Sequence, residues 1–147
     1  SPYYANISKR LTKTPKIYFY DTGLLCWLIG INTPEQLSYH PLRGAVFENL
    51  AVVELLKMRF NADESPDMYF YRENSGREVD VMMTNGTAYD IFEIKSAKTF
   101  SPDFLTNINY LTALLGDKIA HKTVIYDGDY IPPNILNVRD LNRLTFK

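Results

Sequence analysis

Glu78-Val79-Asp80-Val81-Met82-Met83-Thr84-Asn85-Gly86-Thr87-Ala88-Tyr89-Asp90-Ile91-Phe92-Glu93-Ile94-Lys95 consists of two alternating apolar runs around an Asn-Gly pair. Asn-Gly in that setting predicts a β-hairpin, because a type I′ turn needs φ > 0 at both central positions. With Asn85 and Gly86 as the loop, Thr84 faces Thr87, Met82 faces Tyr89, Asp80 faces Ile91 and Glu78 faces Glu93. Asp80 is then diagonal to Glu93 on one face. Lys95 shares that face because side chains repeat every second residue, while Val79, Val81, Phe92 and Ile94 turn the other way into a core. Diagonal neighbours lie roughly 7–8 Å apart at Cα and closer at their tips, a span that one divalent cation bridges.

Working outward, residues 44–60 place Val46, Phe47, Leu50, Val53, Leu56 and Phe60 at helical spacing, and Asn, Ser, Pro and Asp break the pattern over 61–67. Residues 68–72 read as a strand and 73–76 as a turn. After the hairpin, Ser101-Pro102-Asp103 starts a helix that Gly116 stops near Leu115. Residues 121–126 read as another strand, and 134–147 as a short strand and turn at an edge. From residue 44 the order is helix, strand, strand, strand, helix, strand. A helix between the third and fourth strands implies a right-handed parallel crossover, and so an α/β fold with helices on both faces of a mixed sheet.

Before this core, residues 16–20 alternate like a short strand, Asp21 or Thr22 caps a helix bearing Leu24, Leu25, Trp27, Leu28 and Ile31, and Thr33-Pro34-Glu35-Gln36 carries a capping box with Pro at the first helical position. Ser1-Pro2, with no initiator methionine, reads as an internal start within a longer chain. Residues 1–15 are expected to be the tail of a preceding domain or a linker, and 16–147 the domain proper, with its core at about 44–127.

The chain has 147 residues, 46% hydrophobic and 22% charged, which suits one globular domain with a sizeable core. Its longest apolar stretches are too short to span a bilayer, and the expected compartment is cytoplasmic. A single cysteine, Cys26, excludes an internal disulfide and reads as a buried thiol; two histidines, His40 and His121, argue against zinc. A net charge of −1 gives no global field for nucleic acid, although Lys9, Arg10, Lys13 and Lys16 form a local basic stretch suited to phosphates or to a docking partner.

An acid on the first helix (Gly44-Ala45-Val46-Phe47-Glu48), an Asp on the second strand (Glu78-Val79-Asp80) and Glu93-Ile94-Lys95 on the third resemble the PD-(D/E)XK, or restriction-endonuclease-like, superfamily, with core order αβββαβ. More narrowly, Pro15-Lys16-Ile17-Tyr18-Phe19-Tyr20-Asp21-Thr22-Gly23-Leu24-Leu25, Gly44-x-x-Phe47-Glu48-Asn49, Tyr71-Arg72 and Arg77-Glu78-Val79-Asp80 resemble the nuclease-like domain at the C-terminus of many prokaryotic AAA+-type ATPases, over about residues 15–126. No Gly-x-x-x-x-Gly-Lys-Ser/Thr loop is present, so no ATP hydrolysis is expected from this segment. The superfamily's Pro-Asp stands here as Val79-Asp80.

The resemblance implies Mg²⁺-dependent phosphodiester hydrolysis of DNA or another nucleic acid, with Mn²⁺ as a substitute, under an N-terminal ATPase domain. Asp80, Glu93, the Ile94 carbonyl and Glu48 would hold the ion, and Lys95 would act on the nucleophilic water. Asn107 and Tyr110 sit where related nucleases place polar residues. A non-catalytic regulatory or docking module with the same fold stands as the alternative, since fold does not dictate function. Read as ordinary surface chemistry, Asp80 and Glu93 are acids balanced by Lys95 and Arg77, but clustering like charges inside strands costs stability and favours a cation.

Overall fold

The computed structural model describes residues 15–144. Two short helices, α1 (Thr22–Leu28) and α2 (Pro34–Tyr39), precede the long α3 (Arg43–Asn61). Strands β1 (Met68–Arg72), β2 (Glu78–Asn85) and β3 (Ala88–Lys95) follow, then α4 (Thr106–Leu115), β4 (Ile119–Tyr126) and β5 (Ile135–Asn137). The five strands form one mixed sheet in the order β1-β2-β3-β4-β5, antiparallel at its first two interfaces and parallel at its last two. The expected mixed sheet is thus present, extended by β5, and α4 makes the crossover between β3 and β4.

Both faces are covered. Phe47, Ala51, Val52 and Leu55 of α3 pack on Val81, Met83, Phe92, Ile94 and Ile125. On the other face Ile108 and Leu111 of α4 pack on Met82, Ile91, Val124 and Tyr126. The central strand β3 is therefore buried from Asp90 to Ile94 without a break, as a strand covered on both faces must be. Within α3 the buried stripe is rotated from its expected position: Leu50 and Leu56 are half-buried and Phe60 is exposed, while Asn49 and Arg59 are inside. Arg59 is tolerated there because its guanidinium donates to Ser65 O at 2.6 Å and Thr84 O at 2.9 Å.

The hairpin exists, but its loop is Gly86-Thr87 rather than Asn85-Gly86. Of the two loop residues only Gly86 has positive φ (+58°), as a type II′ turn requires. Asn85 pairs with Ala88 instead, and its side-chain amide donates to both carboxylate oxygens of Asp90 at 3.1 Å. The register is therefore Met82 with Ile91 and Val81 with Phe92, two residues from the expected Met82 with Tyr89. A shift of two preserves every face on this ladder. Residues 16–20 form no strand; they run as an extended strap fastened by side chains.

α1 and α2 follow their caps. Asp21 accepts from Leu24 N at 2.9 Å, and Thr33 with Gln36 closes the capping box. Cys26 is half-buried rather than buried. No described helix is long and apolar enough to cross a membrane.

Candidate active site

Asp80 owes its position to an irregularity in β2. Tyr69 pairs with Met82 and Tyr71 with Val79, so two steps along β1 are matched by three along β2, and the extra residue lies within Asp80-Val81. Such a bulge re-aims the side chains around it. Val79 consequently joins the α4-side core with Met82, instead of lying with Val81 as the alternation alone predicts. Carrying the β2–β3 register one residue beyond Val81 and Phe92 brings Asp80 level with Glu93 rather than diagonal to it. Asp80 Oδ2 accepts from Ile94 N at 2.8 Å, which ties the acid to the neighbouring strand.

Glu93, two residues beyond the α4-facing Ile91, is only 3% exposed. Its Oε1 pairs with Lys95 Nζ at 2.6 Å. Its Oε2 is buried and makes no hydrogen bond, although the Asn107 amide of α4 is close enough to favour the carboxylate. An orphaned carboxylate oxygen in a nearly closed site is costly unless something cationic meets it. Burial and the charge of Asp80 raise the Glu93 pKa from 4.5 to about 7, against the opposing pull of Lys95 and Asn107. Asp80 is likewise pushed up, by burial first, then lowered by Lys16 and raised again by Glu48. Two acids that repel each other and resist ionisation mark a site built for a positive charge.

The strap supplies one. Lys16 Nζ lies 2.8 Å from Glu48 Oε1 and 3.2 Å from Asp80 Oδ1, and also pairs with Glu78 Oε1. Burial alone would lower the lysine pKa, but Asp80, Glu48 and Glu78 together raise it above the ordinary value, so Lys16 is a fixed cation. Tyr18 donates to Glu48 Oε1 at 2.6 Å, and burial followed by that bond raises its hydroxyl above the usual tyrosine range. The buried Asn49 grips the backbone: Phe19 N donates to its Oδ1 at 2.7 Å, and its Nδ2 donates to Phe19 O at 3.0 Å and Thr22 Oγ1 at 2.9 Å. Alternation over 16–19 follows side-chain direction, with Lys16 and Tyr18 inward and Ile17 and Phe19 exposed, but it forms no ladder and fails at Tyr20, which shares the parity of Lys16 and Tyr18 and is exposed.

The fold thus gathers Glu48, Asp80, Glu93 and Lys95 at one end of the central strands. As folded, however, no three Asp, Glu, His or Cys side chains among the described residues are grouped so as to hold a metal ion. Ile94 meets the cluster through its N–H. Glu78 belongs to it, held below the usual carboxylate range because Arg72 and Lys16 outweigh its burial, with Arg72 forking onto it at 2.8 and 2.9 Å. Arg77, expected to balance the acids, instead lies over the Tyr110 ring at 4.2 Å. Tyr18 and Asn49 stand in the quoted sequence motifs without a role there, and an Asn next to Glu48 is the signal for a clamp; Lys16, expected in a basic stretch for phosphates or a docking partner, instead pairs with acids of its own domain. Lys9, Arg10 and Lys13 of the basic stretch lie outside the described residues.

The chain is 32% identical over 132 residues to the uncharacterized protein Mb2031c of Mycobacterium bovis, and equally to the uncharacterized protein Rv2008c of Mycobacterium tuberculosis. Each match covers 88% of this chain but 28% of the relative, so the chain spans under a third of the length of the curated relatives it matches. No solved structure matches. Residues 1–35 match a domain of unknown function, DUF8612. Residues 43–141, which hold Glu48, Asp80, Glu93 and Lys95, match another domain of unknown function, and over that majority of its length the chain belongs to the DUF4143 family.

Proposed function

We propose that this domain is a restriction-endonuclease-like module that hydrolyses phosphodiester bonds in DNA or another nucleic acid with Mg²⁺ or Mn²⁺, attached to and controlled by an N-terminal ATPase domain of the same protein. The observation that carries this reading is the buried, unpartnered Glu93 Oε2 beside Asp80, with Lys95 fixed on the same strand. The donors suit a hard divalent ion in kind, since it prefers carboxylate and carbonyl oxygens and retained water, although in the form described Lys16 lies among them and they are not gathered around one point. Asp80, Glu93 and the Ile94 carbonyl would hold it, with Glu48 completing the shell through water. When bound it would polarise the scissile phosphate and acidify a water.

The chain's own residues do the rest. Lys95, held by Glu93 at 2.6 Å, orients the attacking water and offsets charge growing on the phosphorus oxygens. Its charged form is favoured by Glu93 in spite of burial, so it acts as a cation that positions and stabilises. Ile94 N holds Asp80 in register with Glu93.

A second reading, a non-catalytic docking module, is favoured by the Lys16 ammonium already seated among Glu48, Glu78 and Asp80. The deciding experiment is a cleavage assay on the ATPase-containing protein with Mg²⁺ or Mn²⁺, comparing the parent with Asp80→Asn and Lys95→Ala. Each substitution is expected to lower cleavage by about 10²-fold or more, in line with removal of a transition-state charge partner. Cleavage indifferent to both, or none under any condition, leaves the docking reading.

A further inference from the structure

We infer that residues 15–20 are a displaceable strap whose Lys16 ammonium competes with a divalent cation for the same carboxylates, so that the site is closed in the form described and opens when the strap is drawn aside. This rests on the cation-site reading above and supplies its regulation.

Charge comes first. Glu48, Glu78, Asp80 and Glu93 meet three cations, Lys16, Lys95 and Arg72. With all four acids ionised, one carboxylate's worth of charge is left over, and the orphaned atom, Glu93 Oε2, lies outside the reach of Lys16. Lys16 therefore satisfies Asp80 and Glu48 without completing the site. Exchanging its single charge for a divalent one would neutralise the surplus and free the ammonium to return to water. The Asp80 oxygen that Lys16 touches is Oδ1, while Oδ2 is kept by Ile94 N, so the oxygen presented to an incoming cation is the one the lysine covers.

The manner of attachment comes second. Among the described residues, no backbone-to-backbone hydrogen bond joins residues 15–20 to the sheet; the strap is held by side chains, Lys16 with its acids and over the Phe70 ring, Tyr18 through its hydroxyl and its packing on the core, and Asn49. Its outward residues contribute nothing: Ile17 is 83% and Tyr20 76% exposed. The strap and the start of α3 together line an open pocket of about 290 Å³, with Ala45, Glu48 and Asn49 on the helix side. A segment fastened by side chains and belonging to no strand ladder, beside an open pocket, can leave without unfolding a strand. Asn49 and the Asp21 cap hold its distal end, so Lys16 and Tyr18 would peel first when the chain before them is moved. In the proposed whole protein that is the direction of the ATPase domain.

The test is Mn²⁺ binding to the full-length protein by calorimetry or electron paramagnetic resonance, for the parent, Lys16→Met, Lys16→Arg and the double variant Lys16→Met with Asp80→Asn. Lys16→Met should bind roughly tenfold or more tightly than the parent, Lys16→Arg should match the parent, and the double variant should lose the gain. Tyr18→Phe, which loosens the strap but keeps every acid, should tighten binding by a smaller factor and covers the case in which Lys16→Met fails to fold. Hydrogen exchange in the parent should show residues 15–20 losing protection as Mn²⁺ is added. Equal affinity in the parent, Lys16→Met and Tyr18→Phe would overturn the strap and leave the cation site standing. Absence of Mn²⁺ binding in every variant would overturn both.

Discussion

Two buried glutamates in this protein are finished very differently. Glu73, 5% exposed, is enclosed by hydroxyls: Tyr71 and Tyr110 both donate to its Oε1, Tyr110 at 2.9 Å, and Ser75 donates to Oε2 at 2.8 Å. Glu93, 3% exposed, has Lys95 on one oxygen, while the other makes no hydrogen bond and has only the Asn107 amide near the carboxylate. The first is closed by neutral donors from β1, the turn after it and α4, and holds those elements together. The second keeps an open valence that no local residue fills. A carboxylate whose bonds are all made is part of the scaffold, and one left incomplete at high burial is poised for a ligand.

The sharpest way to break this contrast is to remove each acid in turn. Glu73→Ala takes the acceptor from the buried Tyr71 hydroxyl and one acceptor each from Tyr110 and Ser75, and should cost about 3–4 kcal/mol with Mn²⁺ affinity unchanged in whatever fraction remains folded. Glu93→Gln leaves no charge to desolvate and, at about pH 5 where the parent glutamate is protonated in the fold, should change metal-free stability by no more than about 1 kcal/mol, while abolishing Mn²⁺ binding. Denaturation midpoints paired with a Mn²⁺ titration read both. If Glu93→Gln proved as destabilising as Glu73→Ala, the two acids would play one structural role and the comparison would fail.

The pH dependence sharpens it further. The Glu93 pKa in the folded chain stands at about 7 against an ordinary 4.5, raised first by burial and then by Asp80. Between those values the native state holds a proton that the unfolded chain has released, so stability must fall as pH rises through that window and level off above it. The loss should approach about 3 kcal/mol, measured by urea unfolding without divalent ions at fixed ionic strength. Glu93→Gln should flatten the slope, and saturating Mn²⁺ should reverse it, because an ion that binds the carboxylate form expels the proton. A parent protein whose stability rises steadily over this range would contradict the raised pKa.

These outcomes also separate what sequence shows from what it hides. The period-2 runs of 78–95 placed the hairpin, and because the register moved by two, most faces survived a misassigned turn. Val79 did not, since an extra residue in β2 leaves no mark in the pattern: it is set by pairing with β1, a relation between two segments. The capping box at Thr33 and the stop at Gly116 are local chemistry and came through intact; the start at Ser101 became a 3-10 turn, Pro102–Leu105, before α4. The acids and Lys95 were legible because they lie close in sequence or in a known pattern. Lys16 was not, because its partners stand 32, 62 and 64 residues away and alternation could not say what the inward side chains would meet.

The smallest effect probes the scaffold side alone. Tyr110→Phe removes one hydroxyl from Glu73 and keeps the ring beneath Arg77, whose guanidinium lies 4.2 Å from its centroid. Glu73 retains Tyr71 and Ser75, so the cost should be that of one hydrogen bond to a charged group, about 1–2 kcal/mol, seen as a lower urea midpoint with an unchanged slope. Tyr110 stands three residues from Asn107 on α4, one turn along the same helix face, and Asn107 is the residue near Glu93. If the two glutamates are independent, Mn²⁺ affinity in Tyr110→Phe stays at the parent value. A matching drop in Mn²⁺ affinity would mean that α4 couples them, and that the closed carboxylate helps to position the open one.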